Sequence, residues 1–137
     1  MSGEQSSRFI AIVDDDKSVQ TALQDLIESE GLSTLCFDSA EQFLDSGAQR
    51  KAACLIADVR MPGLSGLELQ AKLNADRCRI PIIFITAHGD AKMRIQAMRD
   101  GAVEFLTKPF DNAVLVEAVH AAVEAHAKAL EFRDSNR

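Results

Sequence analysis

Phe9-Ile10-Ala11-Ile12-Val13-Asp14-Asp15-Asp16 is the stretch on which the reading of this chain turns. Five apolar residues run without interruption and then give way to three carboxylates. A short solid run of this kind suits a parallel strand covered on both faces. The aspartates then fall at the strand's carboxyl end. Two later runs have the same form. Ala53-Cys54-Leu55-Ile56-Ala57 is followed by Asp58, and Ile82-Ile83-Phe84-Ile85, which begins after Pro81, is followed by Thr86. Ser33-Thr34-Leu35-Cys36-Phe37 is more polar and reads as an edge strand. Ala102-Val103-Glu104-Phe105-Leu106 is the last strand, followed closely by Lys108-Pro109.

Between these runs the spacing becomes helical. Val19, Ala22, Leu23, Leu26 and Ile27 lie on one helix face, and Gly31 stops that helix. Ser39 with Gln42, and Ser65 with Glu68, read as capping boxes opening the second and third helices. Gly47 closes the second, and Leu69 and Leu73 mark the third. Asp90 caps a fourth that carries Met93, Ala97 and Met98, with both methionines read as core filler, and ends at Gly101. From Asp111, Leu115, Val119, Ala122 and Val123 define the last helix. Its alanine-rich part, Ala118 to Ala129, suits either close packing on the sheet or a dimer or linker role. Five strands alternating with five helices predict an α/β fold, a doubly wound five-stranded parallel sheet. Strand order is not contained in the pattern. The functional site of such a sheet lies outside the carboxyl ends of its strands.

Composition narrows the function. The 137 residues suit one domain, and 47% apolar with 26% charged residues is a globular balance. Fifteen basic against 21 acidic residues leave a net charge of −6, which repels nucleic-acid phosphates and anionic lipid. DNA and membrane are therefore not expected as direct partners. Cys36, Cys54 and Cys78 are scattered and odd in number, so they read as small buried hydrophobes in a reducing compartment. No apolar run reaches membrane-spanning length and the start, MSGEQSSR, has no signal-peptide core. The expected location is cytoplasmic. Residues 1–8 are expected to be disordered, 9–125 to form the domain, and 126–137 to begin a linker.

Parallel strands bring Asp14, Asp15, Asp58, Thr86 and Lys108 to one rim. Each alone fits a cap or a solvated loop. Loop filling gives no reason for carboxylates after the first and third strands, a hydroxyl after the fourth and an ammonium after the fifth. Together they support phosphoryl transfer to a carboxylate. Close carboxylates repel, so one is protonated or a hard cation sits among them; magnesium suits, because it takes one or two carboxylates and bridges to phosphate oxygens. A carboxylate can be the nucleophile, while metal, lysine and hydroxyl stabilise charge on the equatorial oxygens.

The segments IVDDD, ADVRMPGLSG, FITAHGD and FLTKPF, in that order, resemble the receiver domains of two-component response regulators, over Phe9 to about Val123. That resemblance implies a flavodoxin/CheY-like fold and a signalling module rather than an enzyme, apart from its own phosphorylation and dephosphorylation. It implies Asp58 as phosphoacceptor from a histidine kinase, and Mg2+ held by Asp14, Asp15, Asp58 and the main-chain carbonyl of Arg60. Thr86 and Lys108 then contact the phosphoryl group, and Phe105 is the aromatic that changes rotamer with Thr86. It also implies a cis bond before Pro109, whereas a generic X-Pro bond favours trans by roughly 0.5–1 kcal/mol. Arg60 and His88, otherwise solvated loop residues, are placed where they tune access to the acyl phosphate. The wording SAEQFL, TAHGD and KPFD is similar to the FixJ-like branch, whose members carry a LuxR-type DNA-binding output domain. No such domain is visible here, so DNA is reached only through an absent segment. Phosphorylation-dependent homodimerisation through the fourth helix and fifth strand is implied as well.

Three other readings compete. A haloacid-dehalogenase-like phosphohydrolase would use Asp14 as nucleophile and Asp16 as general acid or base, with Thr86 and Lys108 beyond. It lacks a later acidic pair and leaves Asp58 unexplained. A pseudo-receiver would have lost Asp15, Asp58, Thr86 or Lys108, and all are present. A nucleotide-binding domain needs a glycine-rich loop where this chain has aspartates.

Overall fold

The structure is a computed structural model and describes residues 9–87 and 89–135, with side chains to 129. The N-terminal segment 1–8, expected to be disordered, and His88 lie outside the described residues. Strands β1 (Ile10–Val13), β2 (Thr34–Phe37), β3 (Cys54–Asp58), β4 (Ile82–Thr86) and β5 (Glu104–Thr107) form one parallel sheet of order β2-β1-β3-β4-β5. Between and after them come helices α1 (Lys17–Glu28), α2 (Ala40–Ser46), α3 (Gly66–Ala75), α4 (Ala91–Arg99) and α5 (Asn112–Ser135), with a 3-10 turn at Ala48–Arg50. β2 is at an edge, as its polarity predicts.

Alternation within each strand explains why the solid apolar runs were needed. Ile10, Ile12, Cys54, Ile56, Ile83 and Ile85 pack against Leu23 and Ile27 of α1 and Leu115, Val119 and Ala122 of α5. Ala11, Val13, Leu55, Ala57 and Phe84 face the opposite layer, where Phe43, Leu69, Leu73 and Ala97 come from α2, α3 and α4. Both faces are dry, so neither set can be polar. Of the cysteines, all free, only Cys54 is buried; Cys36 and Cys78 are half-buried at the borders of the two layers.

Local signals hold with a few differences. Ser65 and Glu68 form a reciprocal capping box, and Asp90 accepts from the Met93 N–H. At α2 the box is one-sided: Ser39 accepts from the Gln42 N–H, but the Gln42 side chain takes the N–H of Asp38 at 3.0 Å. β5 begins two residues later than its apolar run. The Ala102 and Val103 N–H groups are occupied by the Ala97 and Ile82 carbonyls, so the run first serves as a connection. Met98 is 38% exposed, because Ala97 is the one residue of α4 that is buried. α5 continues beyond the apolar pattern to Ser135, through Leu, Glu and Arg, which are good helix formers.

Gly66 shows how tightly α3 sits on the site. Its N–H donates to the Val59 carbonyl at 2.9 Å, and a Cβ there would collide with the backbone carbonyl of Asp58. No positive φ is involved; the demand is for space beside a backbone that cannot step aside. Gly66→Ala is expected to destabilise the domain by about 1–3 kcal/mol, as overpacking does. Urea unfolding of the variant beside wild type measures it.

Candidate functional site

β1 and β3 are neighbours at the point where the chain reverses its direction of travel across the sheet, which is where doubly wound sheets place their ligands. Val13 pairs in register with Ala57, so Asp14 stands level with Asp58. One carboxylate oxygen from each of Asp14, Asp15 and Asp58 lies within 4.8 Å of the others. Asp14 is buried, Asp58 half-buried and Asp15 exposed, so the cluster opens from the sheet towards solvent.

The anchoring of these groups is unequal. Asp14 Oδ1 accepts from the Asp16 N–H at 2.9 Å, while its Oδ2 is buried with no hydrogen-bond partner. Asp58 Oδ1 accepts from the Arg60 N–H at 3.0 Å. Burial pushes the Asp14 carboxyl above its ordinary range, and the charges of Asp58 and Asp15 add to that push. Asp58 is also raised, first by burial and then by Asp15, against the Arg60 hydrogen bond and the Lys108 charge. A buried acceptor without a donor, among anionic oxygens, is the environment a small hard cation relieves. The donor set fits magnesium.

Thr86 is the last residue of β4 and is buried, and the Lys108 N–H donates to its carbonyl at 2.8 Å. That bond keeps Lys108 at the same rim, where its charge acts on both Asp14 and Asp58. The Lys108–Pro109 peptide bond is cis. Phe105 is buried, its ring 6.3 Å from that of Phe84 at 56°. Gly89 lies against Thr86 and Phe105: a Cβ there would stand 2.7 Å from Thr86 Cγ2 and 2.8 Å from Phe105 Cε1. Arg60 is exposed beside the cluster.

Asp16 does not join the site. Its carboxylate accepts from the N–H groups of Ser18 and Val19 and from the Ser18 hydroxyl at 2.6 Å, capping α1. The Ser18 hydroxyl foremost holds it below the ordinary range. A phosphohydrolase with Asp16 as acid or base loses that group to the cap.

Two residues absent from the sequence reading shape the surroundings. Gln20 of α1 is buried, and its Nε2 donates to the Asp14 carbonyl at 2.6 Å, to Asp38 Oδ1 at 2.8 Å and to the Phe37 carbonyl at 3.3 Å. A signal was present: Gln20 lies three and seven residues before Leu23 and Ile27, on the core face. Glu41 of α2 accepts from the Leu64 N–H at 3.0 Å, pinning the loop that follows Asp58. Gly63, at φ +77°, allows this approach, since a Cβ would stand 2.8 Å from Glu41 Oε2. Nothing in the spacing of residues 41 and 64 announces that contact.

Residues 10–120 match the response regulator receiver domain, and the chain belongs to that family. The similarity reaches individual regulators. The chain is 43% identical over 119 residues to the transcriptional regulatory protein FixJ of Azorhizobium caulinodans, covering 87% of this chain and 56% of that one. It is 46% identical over 126 residues to nodulation protein W of Bradyrhizobium diazoefficiens, covering 91% and 56%. Among solved structures, the response regulator StyR superposes with a TM-score of 0.87 at 41% identity, covering 95% of this chain and 66% of that one. The FixJ-N crystal structure gives 0.77 at 39%, covering 85% and 94%. The chain spans about half the length of the curated relatives it matches. Among the described residues no helix is long and apolar enough to cross a membrane.

The raised carboxyls give a pH dependence of known sign. From an ordinary value of 3.8, Asp58 holds its proton more tightly folded than unfolded. Its contribution to stability is therefore full below that value and is lost as pH rises through the folded one. In chelator, Asp58→Asn is expected to be more stable than wild type at about pH 7, with the gain shrinking towards about pH 4. Urea midpoints of both proteins across that range give the comparison, and a gain that grows on acidification contradicts it.

Proposed function

We propose that this domain takes a phosphoryl group from a phosphohistidine of a histidine kinase onto Asp58. The observation that carries the reading is the buried, unpartnered Asp14 Oδ2 within the Asp14-Asp15-Asp58 group. An Asp58 carboxylate oxygen attacks phosphorus, the P–O bond forms, the P–N bond breaks, and the electron pair returns to the imidazole. Asp14 and Asp15 hold magnesium with Asp58 and the Arg60 carbonyl. Bound there, magnesium neutralises charge on the phosphoryl oxygens. Lys108 contributes a second positive charge and Thr86 a hydroxyl donor. Arg60 and His88 tune water access. The domain acts as a switch, with catalysis limited to its own phosphorylation and dephosphorylation.

The output reading follows from relatives that are named as transcriptional regulators, with the match covering 56% of such a relative's length. We assign residues 9–125 to the receiver and 126–137 to the start of a linker to a LuxR-type DNA-binding domain, in a cytoplasmic protein. Phosphorylation favours a homodimer through α4 and β5. Ile95 (56% exposed), Met98 and Val103 give that face its apolar surface.

Treatment with acetyl phosphate and magnesium, borohydride trapping and peptide mapping should place the modification on Asp58. Label on Asp14 with Asp58 unmodified overturns the assignment and revives the phosphohydrolase. Magnesium alone should raise the melting temperature saturably, with a gain in stability of roughly 2.7 kcal/mol at a hundredfold excess over Kd.

Beryllofluoride should convert monomer to dimer in sedimentation, and Ile95→Asp should abolish that conversion while leaving magnesium binding intact. An unchanged mass in the wild type counts against the dimer.

A further inference from the structure

We propose that Gln20 is a positioning residue for the acidic loop: by holding the Asp14 carbonyl, its amide sets where the Asp14 and Asp15 carboxylates stand and so the affinity of the site for magnesium. The inference rests on the magnesium reading above and deepens it.

The Asp14 carbonyl belongs to the peptide unit joining Asp14 to Asp15. That unit is planar, so fixing its oxygen fixes the direction in which the chain leaves for Asp15. Gln20 Nε2 grips this oxygen at 2.6 Å. The same nitrogen reaches Asp38 Oδ1 at 2.8 Å and the Phe37 carbonyl at 3.3 Å. All three partners are oxygens, so the side chain must present its NH2 group; the reverse orientation would set its carbonyl against three acceptors. Two N–H bonds serve the two short contacts, and the longer one is shared.

The grip has backing on each side. Asp38 is held by Lys17 Nζ at 2.7 Å, and the Phe37 carbonyl already accepts the Asp14 N–H at 3.1 Å. Gln20 itself is set by α1, where its own N–H donates to the Asp16 carbonyl at 3.0 Å, beneath the Asp16 cap. Asp14 Oδ1 is tied separately to the Asp16 N–H. The loop is thus fastened at its carbonyl and at one carboxylate oxygen, leaving Oδ2 as the free ligand. Without Gln20 the first fastening is gone, and the Asp14 carbonyl and Asp38 carboxylate lose a buried donor.

The test measures magnesium affinity by calorimetry on the whole chain. Gln20→Met keeps length and removes the donors; loss of such outer support is expected to weaken magnesium binding by about tenfold or more. Val119→Ala serves as a control: it opens a cavity between α5 and the sheet, lowering the urea midpoint while leaving the magnesium constant unchanged. Gln20→Asn, whose amide falls one methylene short, should move in the same direction as Gln20→Met and decides the matter if that variant does not fold. Wild-type magnesium binding with an unchanged constant in the folded Gln20 variants overturns the role of Gln20. Absence of magnesium binding in the wild type overturns the site reading itself.

Discussion

A carboxylate buried at the end of a central strand, beside another at the end of its neighbour, is the constraint around which this molecule is arranged. Taking a charge out of water is costly unless it is paired or hydrogen-bonded. Asp14 has one oxygen satisfied and one with no partner, and Asp58 and Asp15 crowd it further. The fold accepts that cost because the strand order β2-β1-β3 leaves the two carboxyl ends adjacent, with dry helix layers on both sides. The Lys108 charge lowers both carboxyls without cancelling the burial that foremost raises them.

Holding such a cluster together demands stiffness, and the structure supplies it from outside. Asp58 and Thr86 are strand residues, in the ladder opposite Ile85 and Thr107, rather than loop residues after the strands. The loop beyond Asp58 is fastened by Glu41 and roofed by the close approach of Gly66. The loop beyond Val13 is fastened by Asp16 and Gln20. Helix α4 is different. It buries Ala97 fully and Met93 only in part, and low local burial is what a displaceable element requires.

How much of this the sequence disclosed follows from which forces leave a local trace. Burial on both faces forces continuous apolar runs, so the strands at Ile10, Cys54 and Ile82 were legible, and with them the residues at their ends. Caps at Ser65 and Asp90 were legible because donor and acceptor lie within four residues. Strand order was not, since it depends on crossover geometry that no short segment carries. The two-residue delay of β5 and the exposure of Met98 follow from tertiary placement, which composition does not encode. The amide of Gln20 was legible in principle as a polar residue on an apolar helix face. Its partners Phe37 and Asp38 come from another strand end, so its purpose was not.

The same contacts connect the rim to the surface of α4. A Cβ on Gly89 would meet both the Thr86 methyl and the Phe105 ring, and the next residue, Asp90, caps α4. From the other side, Arg94 of α4 donates to the Phe105 carbonyl at 2.7 Å and pairs with Glu104 at 3.7 Å. Glycine at position 89 leaves Thr86 and Phe105 side by side at the entry to α4. A phosphoryl group biases such an element only by contacting one arrangement better than the other. In this fold the two proposed phosphoryl contacts, Thr86 and Lys108, are joined to each other by a main-chain hydrogen bond between β4 and the residue after β5. The proposed switch thus needs no long pathway: Thr86, Lys108, the Phe105 ring and α4 are neighbours, joined by the Lys108–Thr86 and Arg94–Phe105 hydrogen bonds.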